Sequence, residues 1–206
     1  MKAHQAPVQN DEAVSELLAN QNVLHANSVN VLTRAVASKF TNLKEGQVLV
    51  SLRNIHALTV IDPETASVVW GTSGPWRFQH DAQFLESRHL MLFDNLGSPH
   101  GSRVIEYDPL NGSFPWSYPS AEDSPFLSRV RGMAQRLPNG NTLINISEGS
   151  RGGKIIEVTP GREVVWSCAI SGFITTARRF SPDKLHFLKP AQRPRGGIIS
   201  LNPSLN

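Results

Sequence analysis

Apolar positions along this chain come in short runs, either alternating with polar ones or standing as compact blocks. Pro, Gly, Asn and Asp punctuate them. That pattern predicts strands joined by tight turns rather than helices. Three stretches align with one another: Ile61–Trp70, Tyr107–Trp116 and Val158–Trp166. Each reads as an apolar strand end, a turn containing Pro, and a short strand closing on Trp. The closing residues Trp70, Trp116 and Trp166 stand 46 and 50 residues apart. A second pair of runs lies upstream in each unit. Gln83–Phe93 resembles Gln135–Asn145, whose Asn139-Gly140 is a strong hairpin signal. A looser copy runs from Asn30 to Val50 around an inserted loop of mixed polarity.

One unit is therefore strand, turn, strand, connection, strand, turn, strand. A four-stranded unit recurring at about 50 residues is the signature of a propeller blade, because radial packing gives each sheet two neighbours and only short edges. The fold class expected is all-β, a β-propeller with about three and a half blades present. Residues 23–76, 77–121 and 130–172 form three units, and 173–190 open a fourth. The domain organisation expected is an N-terminal segment over 1–22, blades over 23–190, and an irregular tail over 191–206. A short helix over Asp11–Asn20, capped by Asn10 or Asp11, is expected in the first of these. A large aromatic at one fixed blade position fills the wedge between adjacent sheets, so the Trp signal is assigned to packing.

Composition changes this picture little. The chain has 206 residues, 39% hydrophobic and 18% charged, as an ordinary globular protein has. No apolar run approaches the ~18 residues of a membrane-spanning helix, so no membrane partner is expected. The start of the chain has no apolar signal core: as it stands it reads as cytoplasmic, and as periplasmic if it is part of an exported protein. The net charge of +3 is spread out, apart from Arg178-Arg179 and Arg193-Pro194-Arg195. A solvated basic surface explains it, and no nucleic acid is called for. The single Cys168 excludes an internal disulfide and a Cys-based zinc site, and reads as a small buried residue.

Candidate chemistry lies at the blade starts, which in a propeller line one end of the central channel. His25 precedes the first strand of unit one, and His80 stands at the same junction of unit two. The corresponding junction of unit three, Met133-Ala134-Gln135, has no His. Arg53, ending the second strand of unit one, and Asn27 are in reach of the same region. Two imidazoles and a guanidinium facing a channel suit a tetrahedral anion. A neutral imidazole attacks an electrophilic centre, a second moves a proton, and the guanidinium holds oxygens that gain charge. The plainer alternative is a histidine that merely bonds a neighbouring carbonyl. No tight His spacing supports a metal site, so none is expected. His4, His56, His89, His100 and His186 read as surface or turn residues. Arg103 either orients a loop or pairs with Glu106, and Asp94-Asn95 reads as the cap of a tight loop near His80.

Six motifs occur in order: His25-Ala-Asn-Ser-Val29, Ser51-Leu-Arg-Asn54, Trp76-Arg-Phe-Gln-His-Asp-Ala82, Leu92-Phe-Asp-Asn95, Ser102-Arg-Val-Ile-Glu-Tyr-Asp-Pro109 and Arg136-Leu-Pro-Asn-Gly-Asn-Thr-Leu-Ile144. Together they resemble the bacterial arylsulfotransferase family that uses no nucleotide sulfate. The resemblance runs from about His25 to Leu188. It implies a six-bladed propeller, against which this chain is incomplete, since such a ring needs roughly 280 residues in blades. It also implies transfer of a sulfuryl group from a phenolic sulfate ester to a phenol through a sulfohistidine. His80 is then the nucleophile, and His25 a general acid/base or a donor to sulfuryl oxygen. Arg53 and Asn27 hold the sulfate oxygens. The family has a further active-site His in an earlier blade, for which this chain has no room. Asp81 also stands where the best-studied enzymes have another residue.

The expected function is arylsulfotransferase-like. The partners are an aryl sulfate ester and a phenolic acceptor, with no cofactor, and the open propeller edges invite self-association. The competing reading is a non-catalytic binding or assembly module, or an inactive truncated homologue. A quinoprotein-like propeller is a third, without a cofactor signature to support it.

Overall fold

The computed structural model describes residues 22–119, 125–149, 152–181 and 184–185. The helix expected over Asp11–Asn20 and the tail from 191 lie outside them. Three antiparallel four-stranded sheets make up the fold. The first is β1 (Ala26–Val31), β2 (Val48–Leu52), β3 (Ala57–Asp62) and β4 (Ser67–Ser73). The second is β5 (His80–Phe84), β6 (Leu90–Ser98), β7 (Gly101–Tyr107) and β8 (Trp116–Tyr118). The third is β9 (Met133–Arg136), β10 (Thr142–Ser147), β11 (Gly153–Val158) and β12 (Val164–Ile170). Strands neighbour one another in chain order within each sheet. These are propeller blades at the unit boundaries that the repeat defines. No helix among the described residues is long and apolar enough to cross a membrane.

Packing follows from strand periodicity. Successive side chains point to opposite faces, so a strand buried on both faces reads as a solid apolar block. Strand β6 opens Leu90-Met91-Leu92-Phe93, and all four are fully buried. Leu90 and Leu92 join a core with Leu49, Leu58, Val60 and Trp76 of the first blade region. Met91 and Phe93 join the opposite core, with Ile144, Ile146, Ile156 and Val158 of the third sheet. The middle blade is thus held from both sides. The closing tryptophans behave as packing predicts. Trp116 is buried in the second core and donates Nε1–H to the Pro160 carbonyl of the next blade at 3.0 Å. Trp70 and Trp166 are half-buried against the cores of their own blades.

One local expectation needs correction, at Cys168, and two regions carry more structure than expected. The inserted loop between β1 and β2 is partly ordered. It contains a one-turn helix, α1 (Arg34–Ala37), whose Val36 and Ala37 are buried. Cys168 is only half-buried, because β12 is the outer strand of its sheet. His56 stands at a turn and His89 just after one, as expected, and both also make specific contacts. The His56 carbonyl accepts Trp76 Nε1–H at 2.9 Å, and His89 Nδ1 lies 2.7 Å from Glu106.

A recurring joint links the first strands. Asn30 Oδ1 accepts the Phe84 N–H at 3.0 Å, and Ser28 Oγ accepts the Ala82 N–H at 3.0 Å. Asp81 Oδ2 accepts the Ala134 N–H at 3.0 Å, and Gln83 Nε2 donates to the Ala134 carbonyl at 2.7 Å. Gln135 then grips both backbone groups of Arg179, at 2.8 and 2.9 Å. The segment from Phe173 to Ser181 therefore runs alongside β9 where a fourth first strand would run. It does so as irregular chain, not as a strand.

Candidate functional site

Strands β1, β5 and β9 lie side by side as the first strands of consecutive blades. Their starts wall a cleft of about 570 Å³. His25, Asn27, His80 and Asp81 line it, with Gly132 and Met133 from the third blade and Phe173, Thr175 and Thr176 beyond. Two of the three strands are irregular here. The β1–β2 ladder shifts register between Ala26 and Ser28, and the β5–β6 ladder between His80 and Gln83. Strand β9 pairs with β10 without a break. A bulge inserts one residue, turns the strand and re-aims its side chains. Left-handed backbone gathers in the same region, at His25, His56, Phe78 and Asp81, with φ of 48, 55, 55 and 51°. None is Gly, and such conformations persist only where surrounding contacts impose them. Gly132 (φ 138°) serves a different need. A Cβ there would stand 2.4 Å from the Phe93 ring.

His80 is held by two acceptors. Its Nδ1 lies 3.0 Å from the Phe78 carbonyl and 2.8 Å from Asn95 Oδ1. Burial lowers its pKa below the ordinary imidazole value. The charge of Arg53 and, more weakly, His25 act in the same direction, while the Asn95 and Phe78 contacts oppose them. His25 is also lowered, by burial and by Arg53. Both rings are therefore neutral near pH 7. His25 Nδ1 sits 3.0 Å from Asn22 Nδ2.

Arg53 lies in a 3-10 turn, Arg53–Ile55, at the end of β2. Its Nη1 donates to Asn54 Oδ1 at 2.7 Å, and the guanidinium lies over the Phe78 ring, 4.7 Å from its centre. It is not among the residues lining the cleft. It acts on both histidines through its field. Asn27 lines the cleft, but its Nδ2 donates to the Gln79 carbonyl at 2.7 Å, while its buried Oδ1 has no partner among the described residues.

Asp81 is an interblade strut. Beside its bonds to Ala134 and Gln83, its Oδ1 pairs with Arg178 Nη2 at 2.7 Å. Burial pushes its pKa up to about 6, against the pull of Arg178. The Asp94-Asn95 pair divides its work. Asp94 Oδ1 accepts the Arg77 and Gly97 N–H groups, capping the loop as expected, and Asp94 Oδ2 accepts Arg103 Nε–H at 2.8 Å. Arg103 therefore pairs with Asp94 rather than Glu106. Asn95 is no loop cap: it faces His80. Sequence reasoning also missed Arg131, which lines the cleft, donates to Thr175 Oγ1 at 2.9 Å and lies over the Phe173 ring. Its signal was a basic residue two before Met133, the equivalent of a blade start already singled out. No group of three or more His, Cys, Asp and Glu suited to a metal occurs among the described residues.

The chain belongs to the arylsulfotransferase (ASST) family, whose family model matches residues 2–172. No curated protein matches the chain. Among solved structures it is similar to a protein of unknown function from Bacteroides caccae, at 17% identity and a TM-score of 0.47, over 76% of this chain and 50% of that one. It is also similar to Kuenenia stuttgartiensis hydrazine synthase, at 12% identity and a TM-score of 0.45, over 86% of this chain and 57% of that one. BamB from Moraxella catarrhalis follows at 10% identity and a TM-score of 0.39, over 65% and 35%. The chain spans about half the length of the first of these.

Proposed function

We propose that the cleft transfers a sulfuryl group from a phenolic sulfate ester to a phenol, with His80 as the nucleophile. The observation that carries this reading is the state of His80. Its ring is neutral and lines the cleft, and Nδ1 is occupied by two carbonyl oxygens. The electron pair for attack then belongs to Nε2. In the first half-reaction the Nε2–S bond forms as the S–O bond to the aryl group breaks. The phenolate departs with that electron pair and takes its proton from solvent. In the second half, the acceptor oxygen attacks sulfur as its proton passes to solvent, and the N–S pair returns to His80. His25 serves the oxygens of this exchange from the same cleft. Arg53 favours an anionic donor by its field and opposes protonation of the nucleophile. Asn27 lines the sulfate position.

The test is release of nitrophenolate from 4-nitrophenyl sulfate in the presence of a phenol, with His80→Ala alongside. The expected result is acceptor-dependent release by the parent chain and none by the variant, with the variant's Tm close to the parent's. No release from folded parent protein would overturn the reading and leave a binding module of the same fold.

A further inference from the structure

We propose that two asparagines set opposite tautomers in the two imidazoles of the cleft. Asn95 fixes the His80 proton on Nδ1, and Asn22 fixes the His25 proton on Nε2. This rests on the sulfuryl-transfer reading for its chemical meaning, but the tautomers themselves follow from the hydrogen bonds.

A carboxamide has one accepting and one donating end, and its orientation is fixed by its other partners. Asn95 is fully buried. Its Nδ2 donates to the carbonyls of Ser128 and Arg131, at 2.5 and 2.7 Å. Both are acceptors, so that end is the amide nitrogen, and Oδ1 must be the atom 2.8 Å from His80 Nδ1. The second neighbour of Nδ1 is also an acceptor, the Phe78 carbonyl. An imidazole nitrogen between two acceptors carries the proton. Its support is built in: Ser128 Oγ also donates to the Arg131 carbonyl, and Ser102 Oγ donates to the Asn95 carbonyl at 2.8 Å.

Asn22 is turned the other way. Its Oδ1 accepts the His25 backbone N–H at 3.0 Å, which leaves Nδ2 against His25 Nδ1. That ring nitrogen therefore accepts, and the proton of the neutral ring is on Nε2. Asn54 Nδ2 anchors the Asn22 carbonyl at 2.8 Å.

The consequence is a division of labour. A neutral Nε2–H does not give up its proton readily, so His25 acts as a hydrogen-bond donor to a sulfuryl oxygen rather than as a general acid. On His80, sulfation at Nε2 produces an imidazolium whose remaining proton is on Nδ1. A carboxamide holds that proton without accepting it. The ring stays cationic and leaves sulfur as a neutral imidazole. A carboxylate at the same place would draw the proton away and make the sulfated ring inert. Asn95 is thus a positioning residue.

The experiment is a two-bond 15N–1H spectrum of the full chain with 15N-labelled histidine, recorded above the pKa of both rings. His80→Gln and His25→Gln assign the signals. We expect the His80 proton on Nδ1 and the His25 proton on Nε2. A His80 proton on Nε2, or both rings in one tautomer, would overturn the proposal, and neither readout needs a substrate. Asn95→Asp is then expected to raise the His80 pKa in the same spectra. It should lower kcat by about 10- to 100-fold with little change in KM, with sulfated protein accumulating by mass spectrometry. An unmoved His80 pKa in folded Asn95→Asp would also overturn it. If that variant fails to fold, the parent spectrum decides. Expected tautomers without any transfer would sink the sulfuryl-transfer reading and leave the tautomer assignment standing.

Discussion

Strands β5 and β9 occupy the same place in consecutive blades, yet one is broken and the other is not. Strand β5 carries a bulge between His80 and Gln83, a left-handed Asp81 and a half-buried histidine. Strand β9 pairs in unbroken register, and Met133 stands where Asp81 stands in β5. Behind each strand the architecture is the same: a solid apolar block, Leu90–Phe93 or Leu143–Ile146, with one polar interruption at Asn145 in the second. The repeat therefore supplies a rigid scaffold, and candidate chemistry appears only where the ladder is interrupted. A strained segment persists when its surroundings over-determine it, which is what cores on both faces of β6 provide.

Three changes test that contrast. Phe93→Ala should have the largest effect, a loss of about 3–5 kcal/mol in denaturant unfolding, because Phe93 is fully buried between blades and backs Gly132. A loss below 1 kcal/mol would mean that the blades do not share a core. Asp81→Ala should cost less, about 1–3 kcal/mol, since it leaves the Ala134 N–H without its acceptor and the half-buried Arg178 without its carboxylate. The matching Met133→Ala should cost under about 1 kcal/mol, as a half-buried side chain with no polar partner. Equal costs at the two positions would dissolve the contrast between β5 and β9.

The smallest effect is on pH. The folded pKa of His80 is depressed, so its neutral form persists below the ordinary imidazole range. The acid limb of kcat/KM should fall below pH 6.5, and should move upward when Arg53→Gln removes the charge that lowers it. For stability the sign at Asp81 is opposite. Its folded pKa is raised to about 6, so its contribution is greatest when protonated and is lost as pH rises from about 4 through 6. Urea midpoints of the parent and Asp81→Asn across that window read this directly. A parent-minus-variant difference independent of pH would refute it.

Much of the fold was legible because a repeat writes itself into the chain. The Pro-containing turns and closing tryptophans place the outer hairpins, and Gln83–Phe93 against Gln135–Asn145 places the inner ones. The blade starts bring His25, Asn27 and His80 to one cleft for the same reason. What escaped the sequence were contacts across blades. Arg53 has its guanidinium over Phe78 and outside the cleft lining, because the 3-10 turn after β2 redirects it. Asn95 looked like half of a loop cap. Its partners Ser128 and Arg131 lie more than 30 residues away and belong to no local pattern. The coil from Phe173 was legible as a blade opening, but its lack of strand pairing was not, since that depends on what stands beside it.

Apart from Arg178, which reaches back to Asp81 and the Ala134 carbonyl, the joints between first strands have one direction. Asn30, Ser28, Asp81, Gln83 and Gln135 belong to the earlier blade, and what each grips in the later one is peptide N–H or C=O. Every residue but proline offers both groups. The receiving strand can therefore drift in sequence without losing its place, while the gripping side chains are constrained. A lineage built this way can duplicate a blade, let the copy diverge, and try new side chains over the channel, with attachment already guaranteed by the predecessor.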